Sequence, residues 1–485
     1  MKKIFTLLAA TMAAVGSMAA DYTDSLTVSV NGVSSEQHAT VSVTKGDDGL
    51  LTFSLNNFVL QSAETTMPIG NIVIDSLQPT LVGNDTLLVS KRNIQITDGD
   101  DASTMWIGSM LGDVPIDFVA KLANGRAYAS ISIFMATLQQ NIDVTFGSGY
   151  QIPNSGFESY HTYVMNKGKI NIDEPVRWHS FASSGGKFNV LVMGTPHTFQ
   201  SNDVRPGSAG STSLCLKSAS VMGFIANGTV TTGRMIAGAM TAADPLNHAE
   251  LDMSNTELDG NGNPYYVEML GQPDSLAVWM KFSQGTVNED HPYATISAYI
   301  TDGTYFQDPQ DKAYTNVLAK AQNNKIATTG DEWKRIVVPF EYLDNQVEGK
   351  AILVTISTNA DAGQGSKNDV MYLDDFEFIY DATLTDVTRD GDEVKPVLKG
   401  RGAFAVVSYD KSDDKEYKAT IDVYSADLKK RSTSIYTFVP AGIGSVTADS
   451  AVRQVYNLGG QRVNNMKAGE VYIVKQGGKT YKVLK

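Results

Sequence analysis

Cysteine is almost absent from this 485-residue chain: Cys215 is the only one, so no internal disulfide can form. Leu214 and Leu216 flank it, a pattern that fits a strand carrying a buried, unreactive thiol. Long apolar runs are equally scarce. The stretch from Ile4 to Val15 is too short to cross a bilayer, and no other segment is apolar enough to try. Basic residues are outnumbered, 39 Lys+Arg against 53 Asp+Glu, for a net charge of −14. Nucleic acid needs a basic face to meet its phosphates, so this balance argues against it as a partner. The six histidines are scattered with no His-x-x-x-His pair for zinc, and neither a Gly-x-Ser-x-Gly elbow nor a complete Gly-x4-Gly-Lys-Ser/Thr phosphate loop occurs.

What is present begins with an export signature. Lys2 and Lys3 form a basic start, an apolar stretch follows, and Ser17-Met18-Ala19 supplies the small residues at −3 and −1 that signal peptidase accepts. Residues 1–20 therefore read as a removable signal peptide. Lys2 and Lys3 are the only charges in them, so the mature chain would stand near −16. No cysteine follows the apolar stretch, which argues against a lipid anchor. The expected destination is extracytoplasmic: secreted, or at the cell surface or outer membrane.

From Asp21 to about Gly147 the hydrophobic pattern has period two. Leu26-Val28-Val30, Leu51-Phe53-Leu55 and Ile142-Val144-Phe146 alternate with polar residues, which buries one sheet face and wets the other. Turn signals divide the runs, Asn124-Gly125 being a strong tight-hairpin signal. Short successive strands predict an up-and-down meander closing into a barrel. Residues 22–148 resemble the calycin-like (lipocalin-like) barrels found at the start of Bacteroidota surface proteins.

A second unit is expected over residues 151–381, where β-rich runs such as Leu276 to Phe282, Ala294 to Ile300 and Ala351 to Ser357 are separated by Gly/Asn/Asp/Pro loops. That alternation predicts a two-sheet β-sandwich or jelly roll. Its opening Asn154-Ser155-Gly156-Phe157-Glu158, the Val176-Arg177-Trp178-His179-Ser180 segment, the Val278-Trp279-Met280-Lys281 strand and the closing Leu373-Asp374-Asp375 resemble the putative carbohydrate metabolism domain family of Bacteroidota. The resemblance implies a fold and a substrate class, carbohydrate, without implying a reaction. The whole is thus expected to be all-β. Residues 382–440 read as a polar hinge and a small β module. The stretch 441–485, with Asn457-Leu458-Gly459-Gly460 and a lysine-rich last strand, resembles the C-terminal sorting domains of type IX secretion; a plain terminal hairpin around Gly459-Gly460 and Gly477-Gly478 is the simpler reading.

Three groups of residues stand out as candidates for chemistry. Many carbohydrate-binding sandwiches place an opening Asn-x-x-Phe-Glu beside a closing Asp-Asp strand around a structural calcium. By that resemblance Glu158, Asp374 and Asp375 are calcium candidates, with ordinary hydrogen bonding as the alternative, because no Asp-x-Asp-x-Asp-Gly loop is present. Sugars are held by aromatic faces with amides and carboxylates reading their hydroxyls. Tyr265, Tyr266, Tyr293 and Tyr305, with Asn263 and Asp302, are the loop residues suited to that, although loop tyrosines also pack onto sandwich edges. Trp178, Trp279 and Trp333 fall in or beside strand patterns and read as core or sheet-face residues. For hydrolysis two carboxylates must flank the scissile bond, and Glu250, Asp252 and Glu268 are the nearest approach to an acidic cluster. The expected function is non-catalytic binding of a polysaccharide or other glycan. The rivals are a glycan-acting hydrolase and a structural or adhesive protein with outer-surface assembly partners.

Overall fold

The computed structural model describes residues 19–31, 33–61, 66–135, 139–413, 415–440, 454–476 and 479–485. Of the expected signal peptide, residues 1–20, all but the last two lie outside them. Two compact units result: one comprises the chain through Thr383 with Lys399–Phe404 and Val423–Arg431, the other Leu384–Leu398, Ala405–Asp422 and Ser432–Lys485.

The first unit begins with nine antiparallel strands: β1 Ala20–Val30, β2 Val33–Lys45, β3 Leu51–Gln61, β4 Thr66–Leu77, β5 Thr80–Val82, β6 Asp85–Gln95, β7 Asp113–Ala123, β8 Arg126–Met135 and β9 Gln140–Phe146. They neighbour one another in chain order, and β1 returns to pair with β9, Leu26 opposite Phe146. Across the remaining gap Asn71 and Thr97 exchange two backbone hydrogen bonds of 2.8 and 3.2 Å. The period-two residues point inward, with Leu26, Phe53, Ile74 and Phe118 buried in one core. Between β7 and β8 the turn is Asn124-Gly125, both at positive φ (49° and 73°), the geometry in which a two-residue hairpin matches strand twist.

The rest of this unit is a β-sandwich. One sheet runs in the order Thr198–Ser201, Ser213–Lys217, Val370–Ile379, Ser275–Ser283, Lys334–Pro339; the other in the order Thr229–Thr231, Ala351–Ser357, Ala294–Thr301, Val317–Ile326, Glu341–Tyr342, with Val267–Glu268 also on Ala351–Ser357. Alternate residues of both sheets meet in the core, for example Val278 and Met280 against Ile296, Ala298 and Val354. Trp178 is fully buried there between Phe157 and Phe376, ring centroids 5.3 Å from each. Cys215 is buried and its thiol is pushed up by desolvation.

The opening and closing segments do lie together: the amide of Phe376 donates to Ser155 O (2.9 Å). A third, small sheet of Arg234–Ala237, Asn247–Leu251 and Phe306–Asp308 lies over the outer face of the second sheet. It traps a minor core of Phe306, Leu251 and Met235 against Tyr299 and Leu353.

In the second unit the stretch expected to be a polar hinge is instead a hairpin, Thr383–Asp390 with Glu393–Lys399, turned at Gly391 (φ 60°). Leu384, Val387, Val394 and Val397 supply apolar positions for these strands. Phe404–Asp410, Tyr417–Tyr424 and Arg431–Phe438, whose ends extend into the first unit's segments, pair as a three-stranded sheet, and the tail is a three-stranded sheet of Gln454–Asn457, Val471–Gln476 and Lys479–Leu484. The Gly477-Gly478 turn lies outside the described residues.

Candidate functional site

The small third sheet covers only part of the outer face beneath it. Beyond its edge the second sheet stays open and forms the floor of a cleft of about 400 Å³. The floor follows from strand periodicity: Ala294, Ile296 and Ala298 face the core, so Thr295 and Ser297 must face out. Register then aligns outward residues of neighbouring strands into cross-strand rows. One row is Thr229, Ser357 and Thr295; the next is Thr355, Ser297 and Gln322.

These groups are tied to one another. Thr229 Oγ1 and Ser357 Oγ lie 3.0 Å apart, Thr295 donates to Asn324 Oδ1 (2.6 Å), and Ser297 donates to Asp308 Oδ2 (2.5 Å). Asp308 ends the last strand of the small sheet, and burial raises its carboxyl pKa against the opposing Ser297 hydrogen bond. It forms no ion pair among the described residues. The walls are different in kind. Phe188, Leu191 and Val192 come from the short helix Asn189–Val192 and its N-terminal neighbour. Met222 and Phe224 come from the hairpin Ala219–Val221 with Phe224–Ala226, and Met240 stands nearby. Met222, Phe224 and Met240 are more than half exposed at 67%, 57% and 51%, although each is a residue that folding ordinarily buries. The arrangement offers hydroxyls and amides on one side and C–H-rich surface on the other.

The loop residues singled out from the sequence do not converge on this cleft. Tyr265 is buried, its ring 4.7 Å from His179 and under the Arg234 guanidinium at 4.9 Å. Tyr266 packs against the minor core. Asn263 closes its own loop, its amide N donating to Asp259 Oδ1 (2.8 Å), and Asp302 caps a turn by accepting from the amide and hydroxyl of Thr304 (2.9 and 2.6 Å). Tyr305 and Tyr293 come nearest. Tyr305 donates to Gln307 Oε1 (2.8 Å) beside His248, which lines the cleft, and Tyr293 O accepts from the amide of Ala360, which also lines it. Short polar turns satisfy their own backbone first, which is why such loops look ligand-rich in sequence.

Glu158, Asp374 and Asp375 do meet, at another corner of the sandwich. Asp375 pairs with Arg205 Nε (2.5 Å), Asp374 Oδ2 accepts from the Arg205 amide (3.0 Å), and Glu158 accepts from the amides of Ser211 and Thr212 (both 3.1 Å). Asp374 Oδ1 is buried without a hydrogen-bond partner, and desolvation raises this carboxyl to about 6. Arg205 thus brings a positive charge to this corner. Among the described residues no group of three or more His, Cys, Asp or Glu side chains is arranged to hold a metal. Nor do the acids considered for hydrolysis converge. Glu268 pairs with Arg126 of the barrel (2.9 Å), Asp252 caps the Ser254 turn, and Glu250 lies 3.5 Å from His248. Trp279 and Trp333 are on the outer face of the first sheet, under Arg205 and Lys281 respectively.

Residues 18–148 match the model of the calycin-like beta-barrel domain, in agreement with the nine-stranded meander. No curated protein matches the sequence. Among solved structures, one of carbohydrate-binding modules from the β-sandwich superfamily is 9% identical, covers 74% of this chain and 98% of its own, and superposes with a TM-score of 0.21. A second, the M60 catalytic domain with the CBM51-1 and CBM51-2 domains from Clostridium perfringens ZmpB, is 10% identical over 95% of this chain and 45% of its own, with a TM-score of 0.15.

Proposed function

We propose that this chain is an exported glycan-binding protein whose site is the cleft on the outer face of the second sandwich sheet. The observation that carries the reading is the cleft's two-sided lining. Rows of Thr, Ser, Gln and Asn lie on rigid strands and face exposed Met and Phe walls. A sugar ring presents the same division, hydroxyls around its edge and C–H groups on its faces. Binding is favoured over hydrolysis because Asp308 is the one carboxylate among the described lining residues, and glycoside hydrolysis takes two. The export signature at Lys2, Lys3 and Ser17-Met18-Ala19 supports an extracytoplasmic destination, where polysaccharide is met. The tail's resemblance to sorting domains fits delivery to the surface of a Bacteroidota-type cell.

The test is a glycan array with the mature full chain, followed by calorimetric titration of the hits. Ser297→Ala and Ser357→Ala, each removing one floor hydroxyl, should weaken binding by about 0.5–1.5 kcal/mol apiece with unchanged circular dichroism. Affinity that survives both changes, or that follows an isolated barrel, would remove the cleft from the function.

A further inference from the structure

The cleft's chemistry narrows the class of glycan, an inference that rests on the binding reading above. No lysine or arginine is among the described residues lining it, and the whole chain carries a net charge of −14. A uronate, sulfate or sialate would enter with no cation to meet it and with Asp308 to repel it. An anionic ligand is therefore disfavoured on charge alone.

Two further features of the cleft narrow the class again. Asp308 faces the cleft with one hydrogen bond, from Ser297, and no ion pair. An ionised carboxylate has acceptor capacity for several donors, so a ligand bringing an N–H would satisfy an acceptor that burial leaves under-supplied. Phe224, Met222 and Met240, which line the same cleft, stand exposed in a way folding alone does not explain. Thioether and aromatic side chains suit a small apolar group of variable position, such as a methyl. An acetamido substituent is uncharged and carries an N–H and a methyl along one edge of a planar group, with the carbonyl oxygen on the other. We propose that the cleft recognises glycans containing 2-acetamido sugars, with Asp308 accepting the amide N–H, the Met/Phe walls receiving the methyl, and the Thr/Ser rows reading the hydroxyls.

The experiment titrates the full chain at pH 7 with β-linked tetrasaccharides of N-acetylglucosamine, glucosamine and glucose, and with a galacturonate tetrasaccharide. The N-acetylated ligand should bind at least tenfold tighter than the glucose one, and the galacturonate should not bind measurably. Asp308→Asn should narrow that preference to less than threefold. Because Asp308 also holds Ser297, Phe224→Ser on the exposed hairpin serves as the second variant and should lower the preference with the fold intact. Equal or tighter binding of the glucose, glucosamine or galacturonate ligand overturns the acetamido assignment while leaving glycan binding in place. Binding to no glycan, here or on the array, overturns both.

Discussion

Asp374 and Arg205 show how one corner is balanced residue by residue. Asp374 is fully buried, one of its oxygens lacks a partner, and its carboxyl is raised to about 6 from an ordinary value of 3.8. The folded protein therefore holds this proton more tightly than the unfolded chain does. The stabilisation from that proton is complete below about pH 4 and is lost as pH rises through about 6. Asp374→Asn keeps an acceptor for the Arg205 amide and removes the charge. Its melting temperature relative to the unaltered protein should climb steadily between pH 4 and pH 7. A pH-independent difference would mean that Asp374 is ionised at no cost. The same corner makes a statement about calcium. Arg205 already neutralises Asp375, and backbone amides already occupy Glu158. Millimolar calcium, or chelator, should leave the melting temperature where it was; a rise with calcium that Asp374→Ala abolishes would put an ion there after all.

Between residues and whole molecule, the informative element is the small sheet of Arg234–Ala237, Asn247–Leu251 and Phe306–Asp308. It exists because the second sandwich sheet is apolar on part of its outer face, at Tyr299 and Leu353, and polar on the rest. Phe306 is its fully buried anchor. Phe306→Ala should cost about 3–5 kcal/mol in urea unfolding and abolish ligand binding, because the cleft loses a wall. Phe224→Ser, on a half-exposed hairpin, should stay within about 0.5 kcal/mol of the unaltered stability. Alternation in Leu26-Val28-Val30 or Ala294 to Ile300 is a local property, so the barrel and the sandwich strands were legible in the sequence. Trp178 was legible as core for the same reason. The cleft was not, because its rows join Thr229, Thr295 and Ser357 from strands far apart in the chain, and their alignment depends on register. The usable signal was there in part: Thr295 and Ser297 alternate with Ala294, Ile296 and Ala298. A polar strand face, however, looks the same whether it meets solvent or a ligand. Loop tyrosines give the plainer binding signal in sequence, yet Tyr265 serves packing against His179 and Arg234.

At the scale of the first unit, barrel and sandwich are joined by a segment built as carefully as either. Gly149 O accepts from the amides of Leu270 (2.8 Å) and Gly271 (3.0 Å), and the Gln151 side chain pairs with both backbone groups of Phe378 at 2.8 Å, as a neighbouring strand would. Tyr150 stands between the two domains. Its ring lies 4.4 Å from Tyr128 of the barrel and 5.9 Å from Tyr380 of the sandwich, and its hydroxyl accepts from Lys121 (2.9 Å). Gly271 is fixed by the same contact, since a Cβ there would meet the Tyr380 hydroxyl at 2.3 Å. Aromatic packing of this kind couples the stability of the two parts, whereas the Arg126–Glu268 pair across the same junction is partly exposed and contributes about 0–1 kcal/mol. Two variants separate these contributions in a calorimetric scan. Arg126→Ala should leave the joint melting of barrel and sandwich intact. Tyr150→Ala, removing about 3 kcal/mol of packing at the junction, should split off an earlier transition for the barrel. If instead Arg126→Ala splits the transition and Tyr150→Ala does not, the junction is held by charge, and raising the salt concentration should then separate the two domains in the unaltered protein as well.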